Sequence, residues 1–269
     1  MIETIKQIYE EHRSMGKQTL RLAKSDLIRT YRGAALGWAW ALVKPMVTLF
    51  VFWFGITVGF RGGKPVNDMP YFLWQLAGFL PWFYMRTLIP GGANCIRKYA
   101  HLVTKMKFPV STIPTFVNIS ELMVHWVLLA LTIITFALFG YPPDVYLIQL
   151  PLYMIMMFVS FTLWALFAGM LGAMSIDFLN LIKSCSTAIF WMSGIIYDVN
   201  GIHNPYIRTA LKLNPVTFIS SGYRNVFVYK QWITEDKVGL VCYFISLIAV
   251  FLGAVWAYRR LRKEIPDVL

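Results

Sequence analysis

Six long apolar runs, separated by short polar breaks, recur along the chain and predict spans near 38–60, 71–93, 111–139, 146–174, 182–198 and 238–258. Each run approaches the ~20 apolar residues with which a helix crosses a bilayer, and a spanning backbone must satisfy its own hydrogen bonds, so helices are expected. Barrel strands would be about half as long and would alternate in hydropathy. The pattern predicts an all-α integral membrane fold. Three segments follow from it: a cytoplasmic N-terminus with an amphipathic interface helix over 1–35, a six-span domain over 36–258, and a basic cytoplasmic tail over 259–269.

Within the first segment, residues 17–32 place Leu20, Ala23, Leu27, Ile28 and Tyr31 on one helical stripe while Lys17, Arg21, Lys24 and Arg32 gather elsewhere on the wheel. Such a helix lies in the membrane interface, either as an electrostatic anchor or as a gate. The stretch from Cys95 to Pro109 is again helical in pattern and basic up to Phe108, and Pro109 and Pro114 reset the backbone before the third span. It is either a handle for a partner or a loop that only fixes orientation. Residues 214–229 lie between spans five and six and are too apolar for a solvated loop yet too short to cross, so half-penetrating, re-entrant helices are expected there.

Composition sharpens this picture. The chain is 58% hydrophobic and only 14% charged, with a mean hydropathy of +0.57, too little polar surface for a water-soluble fold of this length. Its net charge of +12 comes largely from Lys and Arg ahead of the first span, between spans two and three, and after the last. By the positive-inside rule those regions are cytoplasmic, so both termini of a multi-pass plasma-membrane protein lie inside. The charge is thus a topology signal and an attraction to anionic lipids, and no nucleic-acid partner is expected. Arg208, Lys212, Arg224, Lys230 and Lys237 run against that bias on the outer side; either an anionic cargo leaves there or long outer segments obey the rule loosely. Cys95, Cys185 and Cys242 are odd in number and scattered, which argues against a disulfide framework or metal site. The first apolar run follows a long charged segment, unlike a cleaved signal peptide.

Charges inside spans are costly, and few are present. At ~1.5 Å per residue, Arg86 and Glu121 lie roughly 10 to 15 Å from the cytoplasmic ends of their spans, with His125 one turn beyond Glu121. The three suggest a polar network, serving either as a hinge or as a static clamp between helices. Phe50, Trp53 and Phe54 form a patch inside span one, and with Phe190, Trp191 and Tyr197 they are candidates to line a path along which sugar faces stack. Gly55 with Gly59, and Gly33 with Gly37, have GxxxG spacing, which implies close helix approach within the subunit or across a dimer. The chain has no phosphate loop, HExxH, GxSxG or close carboxylate pair, so no catalytic residue, resident cofactor or metal is assigned and it does not hydrolyse ATP unaided.

Residues 26–45 carry Leu36, Gly37, Trp40 and Pro45 directly after a basic, aromatic helix; further on come Lys107, Phe108 and Pro109, then Asp177, then Asn214 and Pro215. In this order they resemble the ABC-2 type polysaccharide export permeases, with wall teichoic acid exporter subunits nearest in pattern and O-antigen and capsule exporters sharing the motifs. The chain departs from the family pattern at Ile176, where Arg is frequent, and at Ser193 to Tyr197, where SPIxY is frequent. The resemblance implies a homodimer bound to two copies of a separate ATPase subunit, which holds ATP and Mg, and a cargo polymer on a polyprenyl diphosphate lipid. It implies ATPase docking on the helix around Ile96 to Phe108, through Arg97, Lys98, His101, Lys105 and Lys107. Arg29, Arg32 and Lys44 become candidate headgroup contacts, because charge-assisted bonds to phosphate suit Arg and Lys. Asn214, Pro215 and Arg224 mark the outer re-entrant segment. Two rival readings are an ABC-2 exporter of small hydrophobic compounds and a stand-alone carrier; the latter usually shows internal repeats and midplane carboxylates.

Overall fold

The computed structural model describes residues 1–33, 35–61, 64–106 and 108–269, and every long element in them is a helix. In chain order they are α1 (Ile2–Tyr31), α2 (Trp40–Ile56), α3 (Tyr71–Lys98), α4 (Ala100–Met106), α5 (Thr112–Leu138), α6 (Leu150–Met174), α7 (Ile176–Met192), α8 (Pro205–Lys212), α9 (Pro215–Arg224), α10 (Lys237–Leu261) and α11 (Ile265–Val268). Four helical stretches are long and apolar enough to cross a membrane: Gly37–Gly59, Thr112–Leu138, Val145–Met174 and Lys237–Leu261. Their outward side chains, among them Phe50, Leu138, Ile155, Ile245 and Trp256, are themselves apolar, as a lipid solvent requires.

At the centre stands α3, with most of its length buried against α5, α6, α7 and α9. Its contact with α6 is made by small residues. A side chain at Gly172 would overlap the Ala93 carbonyl, and one at Gly92 would come within 2.8 Å of the Ala165 Cβ. Backbones that close exchange side-chain volume for direct van der Waals contact, the usual source of cohesion between helices in lipid. By contrast, a Cβ at Gly33, Gly37, Gly55 or Gly59 would meet nothing within 4 Å, so the GxxxG spacings make no close approach inside the subunit. Gly33 and Gly37 instead hold positive φ angles of 84° and 48° in the turn that joins α1 to α2.

Two expectations shift at this level. The amphipathic helix is much longer than residues 17–32, and it buries Thr19, Ala23, Asp26 and Leu27 while Leu20 and Ile28 face outward. Polar contacts set that rotation. Glu11 accepts from the hydroxyls of Ser111 and Tyr258 (2.6 Å for Tyr258), His12 Nε2 shares a 2.8 Å bond with Thr115, and Asp26 pairs with Lys98. The fifth run forms a helix that starts earlier than residue 182, at Ile176, where Ser175 Oγ caps by accepting from the Phe178 N–H. It ends at Met192, because Gly194 turns the chain at a φ of 64°, so 193–198 is a turn and Tyr197 is not helical.

Between α7 and α10 lie α8 and then the predicted half-penetrating stretch, 214–229, which forms α9 and a π turn, Asn225–Tyr229. Asn204 and Asn214 cap α8 and α9 by accepting backbone N–H groups, each followed by a proline in the first turn. Almost every residue of α9 is buried against α3, α6 and α10.

Candidate functional site

A cavity of about 520 Å³ opens between the end of α1, α2, α3 and α5. Tyr31, Lys44, Thr48, Arg86, Glu121 and His125 all contribute to its wall. The intramembrane charges expected from the sequence therefore share one cavity, but Arg86 and Glu121 are not within ion-pair distance of each other, and neither forms a salt bridge among the described residues. His125 turns away from them: its Nε2 shares a 2.9 Å bond with the Tyr223 hydroxyl of α9, and its Nδ1, equally buried, has no partner. Burial, and then the Glu121 carboxylate, push the Tyr31 phenol above its ordinary range, so it stays a neutral O–H donor at the mouth of the cavity.

Beside the cavity, buried Asn118 gives its amide N–H to the Phe158 carbonyl at 2.9 Å and to Thr162 Oγ1 at 2.6 Å, and accepts from the Tyr84 hydroxyl. This group locks α3, α5 and α6 around the cavity's inner wall. Sequence reading passed over Asn118 and Tyr223; the available signal was a polar side chain inside an apolar run.

The proposed headgroup cations separate. Lys44 faces the large cavity with its Nζ 5.9 Å from the Trp40 ring centre, whereas Arg29 and Arg32 line a different, open groove of about 510 Å³ on α1 with Ser25 and Ile28. A third groove, about 230 Å³, runs between α2, α3 and α7, where Phe52, Trp82, Phe190 and Trp191 meet Thr187. Thr48 and Arg86 line both this groove and the large cavity, so they stand on the ridge between the two. Phe190 is buried against Phe52 and Trp82 at ring distances of 5.2 and 5.3 Å, while Phe50, Phe54 and Trp191 are exposed and Trp53 is half-buried. One face of α7 also exposes Asn180, Ser184 and Thr187 in helical register with Trp191, a polar stripe that the sequence reading did not single out.

Of the basic residues assigned to docking, two have internal partners. Arg97 donates to the carbonyls of Gly172 at 3.3 Å and Ala173 at 2.6 Å, closing the C-terminal end of α6. Lys98 sits 2.8 Å from Asp26 of α1, whose carboxylate also accepts from the Tyr99 hydroxyl. His101 and Lys105 are exposed on α4, and Lys107 lies outside the described residues. Arg224 is wholly internal: it donates to the carbonyls of Gly194 (2.6 Å), Ile195, Tyr197 (3.3 Å) and Trp74 (3.4 Å) and stacks 3.6 Å above the Trp74 ring. Asn214 Nδ2 reaches Ser193 Oγ at 2.8 Å, and Pro215 opens α9. Arg224 and Asn214 join α9 to the turn after α7.

Over residues 17–228 the chain matches the ABC-2 type transporter family. It is also 26% identical over 261 residues, 96% of its own length and 94% of the relative's, to the O-antigen export system permease protein RfbA of Myxococcus xanthus. With a family match that takes in most of the chain, and with membrane-length apolar helices around a partly polar interior, this protein belongs to the ABC-2 type transporter family of multi-pass membrane proteins.

Proposed function

We propose that the chain is the membrane subunit of an ATP-driven exporter for a polymer carried on a polyprenyl diphosphate lipid. In this reading α2, α3, α5, α6, α7 and α10 are six spans, α8 and α9 are outer re-entrant helices, and both termini are cytoplasmic. The observation that carries it is the stripe of Asn180, Ser184 and Thr187 on the exposed face of α7, in helical register with the exposed ring of Trp191. Ser184 Oγ donates to the Asn180 carbonyl at 3.0 Å, but the exposed Asn180 amide and Thr187 hydroxyl would be unsatisfied facing lipid; along a water-filled path they meet sugar hydroxyls while the flat Trp191 ring stacks on sugar faces.

That path needs a second wall. Only 11% of the apolar window of α2 is buried, against 50% for Val145–Met174, so α2 offers the least covered face for a second copy of the chain, with the path between the copies. The headgroup enters between α1 and α2, past Arg29 and Arg32 to Lys44. A separate ATPase subunit, one per copy, docks on α4, where His101 and Lys105 remain free while Arg97 and Lys98 brace the helix from within. Wall teichoic acid and O-antigen both fit this cargo class, and the relative named for O-antigen export supports the second.

The test is export by the chain reconstituted with its ATPase in sealed vesicles, with a long lipid-linked glycan as cargo. Nucleotide-dependent appearance of the glycan on the far side is expected. Transport of small hydrophobic compounds in place of the glycan, or transport with no nucleotide present, would refute the reading.

A further inference from the structure

The large cavity contains more unpaired polarity than a passage for an acyl chain or a bare phosphate requires. Two cations, Lys44 and Arg86, line it without a carboxylate partner within 4 Å among the described residues. Glu121, on the same wall, has no hydrogen bond or ion pair there either, and His125, 1% exposed, keeps an unpartnered Nδ1 although its other nitrogen is bound to Tyr223. Unpaired ionisable groups inside a membrane segment, and buried polar atoms without partners, both call for a ligand or a function. At about 520 Å³ the space is of the size that holds a small organic ligand.

The chemistry of the wall limits that ligand. Arg and Lys supply charge-assisted donors suited to phosphate oxygens. A carboxylate does the opposite: it repels phosphate and accepts from O–H or N–H groups. A wall carrying both kinds of group fits a ligand that is anionic at one end and rich in hydroxyls at the other. We infer that this cavity reads the junction between the diphosphate and the first sugar of the lipid-linked cargo, with Lys44 and Arg86 on the phosphates and Glu121 on the sugar. The inference rests on the proposed lipid-linked cargo and adds a selection step to it: a lipid diphosphate with no sugar leaves Glu121 facing phosphate, so unglycosylated carrier is held less well. Arg86, which also lines the groove beside α7, keeps its contact with the phosphate as the junction leaves the cavity for the path.

The experiment measures binding to the full-length chain in lipid nanodiscs, followed by tryptophan fluorescence, since Trp40 lines the cavity. The probes are a polyprenyl diphosphate, the same lipid carrying one hexose, and inorganic diphosphate. The hexosyl lipid is expected to bind about tenfold more tightly than the bare lipid, a difference of about 1.4 kcal/mol. Glu121→Gln removes that preference and leaves the bare lipid bound at least as well, whereas Arg86→Gln weakens both lipids by roughly tenfold. Arg86→Lys and Glu121→Asp stand in if either variant fails to fold, each expected to retain part of the effect. Equal binding of the two lipids by wild type, or a preference untouched by Glu121→Gln, overturns the inference while leaving the export reading intact. Competition by inorganic diphosphate as strong as by the lipid also overturns it, by assigning the cavity to a free anion. Failure of wild type to bind either lipid sinks the export reading itself.

Discussion

Arg224 offers the sharpest test of how α9 is held against the turn after α7. Its guanidinium is 2% exposed and has no acidic partner within 4 Å; its donors are spread over four backbone carbonyls from two elements, three in the turn after α7 and one, Trp74, in α3. Gly78 leaves the room it occupies, since a Cβ there would overlap the guanidinium. In Arg224→Met the side-chain stem survives but the carbonyls lose their donor. The Trp74 bond, at 3.4 Å, is long and contributes little. The remaining three acceptors at about 1–3 kcal/mol each, discounted by half for relaxation and entering water, give a loss of roughly 3–4 kcal/mol, including the lost stacking on Trp74. For a chain of this size about 1 kcal/mol moves the melting temperature by ~2–4 °C, so a drop of roughly 10 °C is expected. Arg224→Lys should fall between, because an ammonium can reach some of the carbonyls but cannot stack as a plane. Thermal unfolding of purified protein in detergent, followed by tryptophan fluorescence, reads both values. Lys237→Met, an exposed cation of the same outer region, serves as the comparison and should move little. A melting temperature for Arg224→Met within about 2 °C of wild type would refute the clamp.

Gly172→Val drives a branched side chain into the Ala93 carbonyl and should cost about 1–3 kcal/mol or more, while Gly91→Ala, whose Cβ meets nothing within 4 Å, should not destabilise; equal melting temperatures for the two variants would show that α3 and α6 do not touch as closely as described. Asp26→Asn removes the ion pair of a 4% exposed carboxylate and should loosen α1, read as faster tryptic cleavage at Lys24 and Arg29, and an unchanged rate would refute the latch. The same latch has an alkaline limit, because burial first, and then its hydrogen bond to Asp26, raise the Tyr99 phenol above its ordinary value of 10.0. Its stabilising contribution is therefore complete below about pH 10 and is lost as the pH climbs from there toward the folded-state value, and Tyr99→Phe should show a shallower decline in melting temperature over that window.

What the sequence made legible follows from which forces are local. Apolar runs report their own solvent, so the helices at Thr112–Leu138 and Lys237–Leu261 fall within a few residues of the predicted spans, and the cost of intramembrane charge led directly to Arg86, Glu121 and His125 on one cavity wall. Cations whose partners lie far along the chain were not legible in that way. Arg97 and Lys98 are assigned to docking by the family resemblance, and nothing nearby in sequence points to internal partners; those are the Gly172 and Ala173 carbonyls and Asp26, each more than 70 residues away. Within the subunit the GxxxG spacing marks no contact, for a related reason. GxxxG at Gly55 and Gly59 describes one helix face, whereas close packing requires that the opposing helix also present small residues, and that condition is met between Gly92, Ala93 and the Ala165, Gly169 and Gly172 face of α6.

The same distinction bears on how force would travel. Because Lys98 and Tyr99 hold Asp26 at the junction of α3 and α4, a push on α4 would reach α1 through an ion pair whose carboxylate is buried rather than through a flexible loop. α1 in turn carries Tyr31, which lines the cavity, so its displacement changes the opening past Lys44. On the far wall His125 is bonded to Tyr223, the residue next to the Arg224 clamp, which links the cavity to the outer helices. The basic stretch that reads in sequence as a handle or an orienting loop thus stands at the start of a packed series running from the exposed α4 surface to the turn after α7. Each link in the series is a specific polar contact, so single substitutions can break it at a known place.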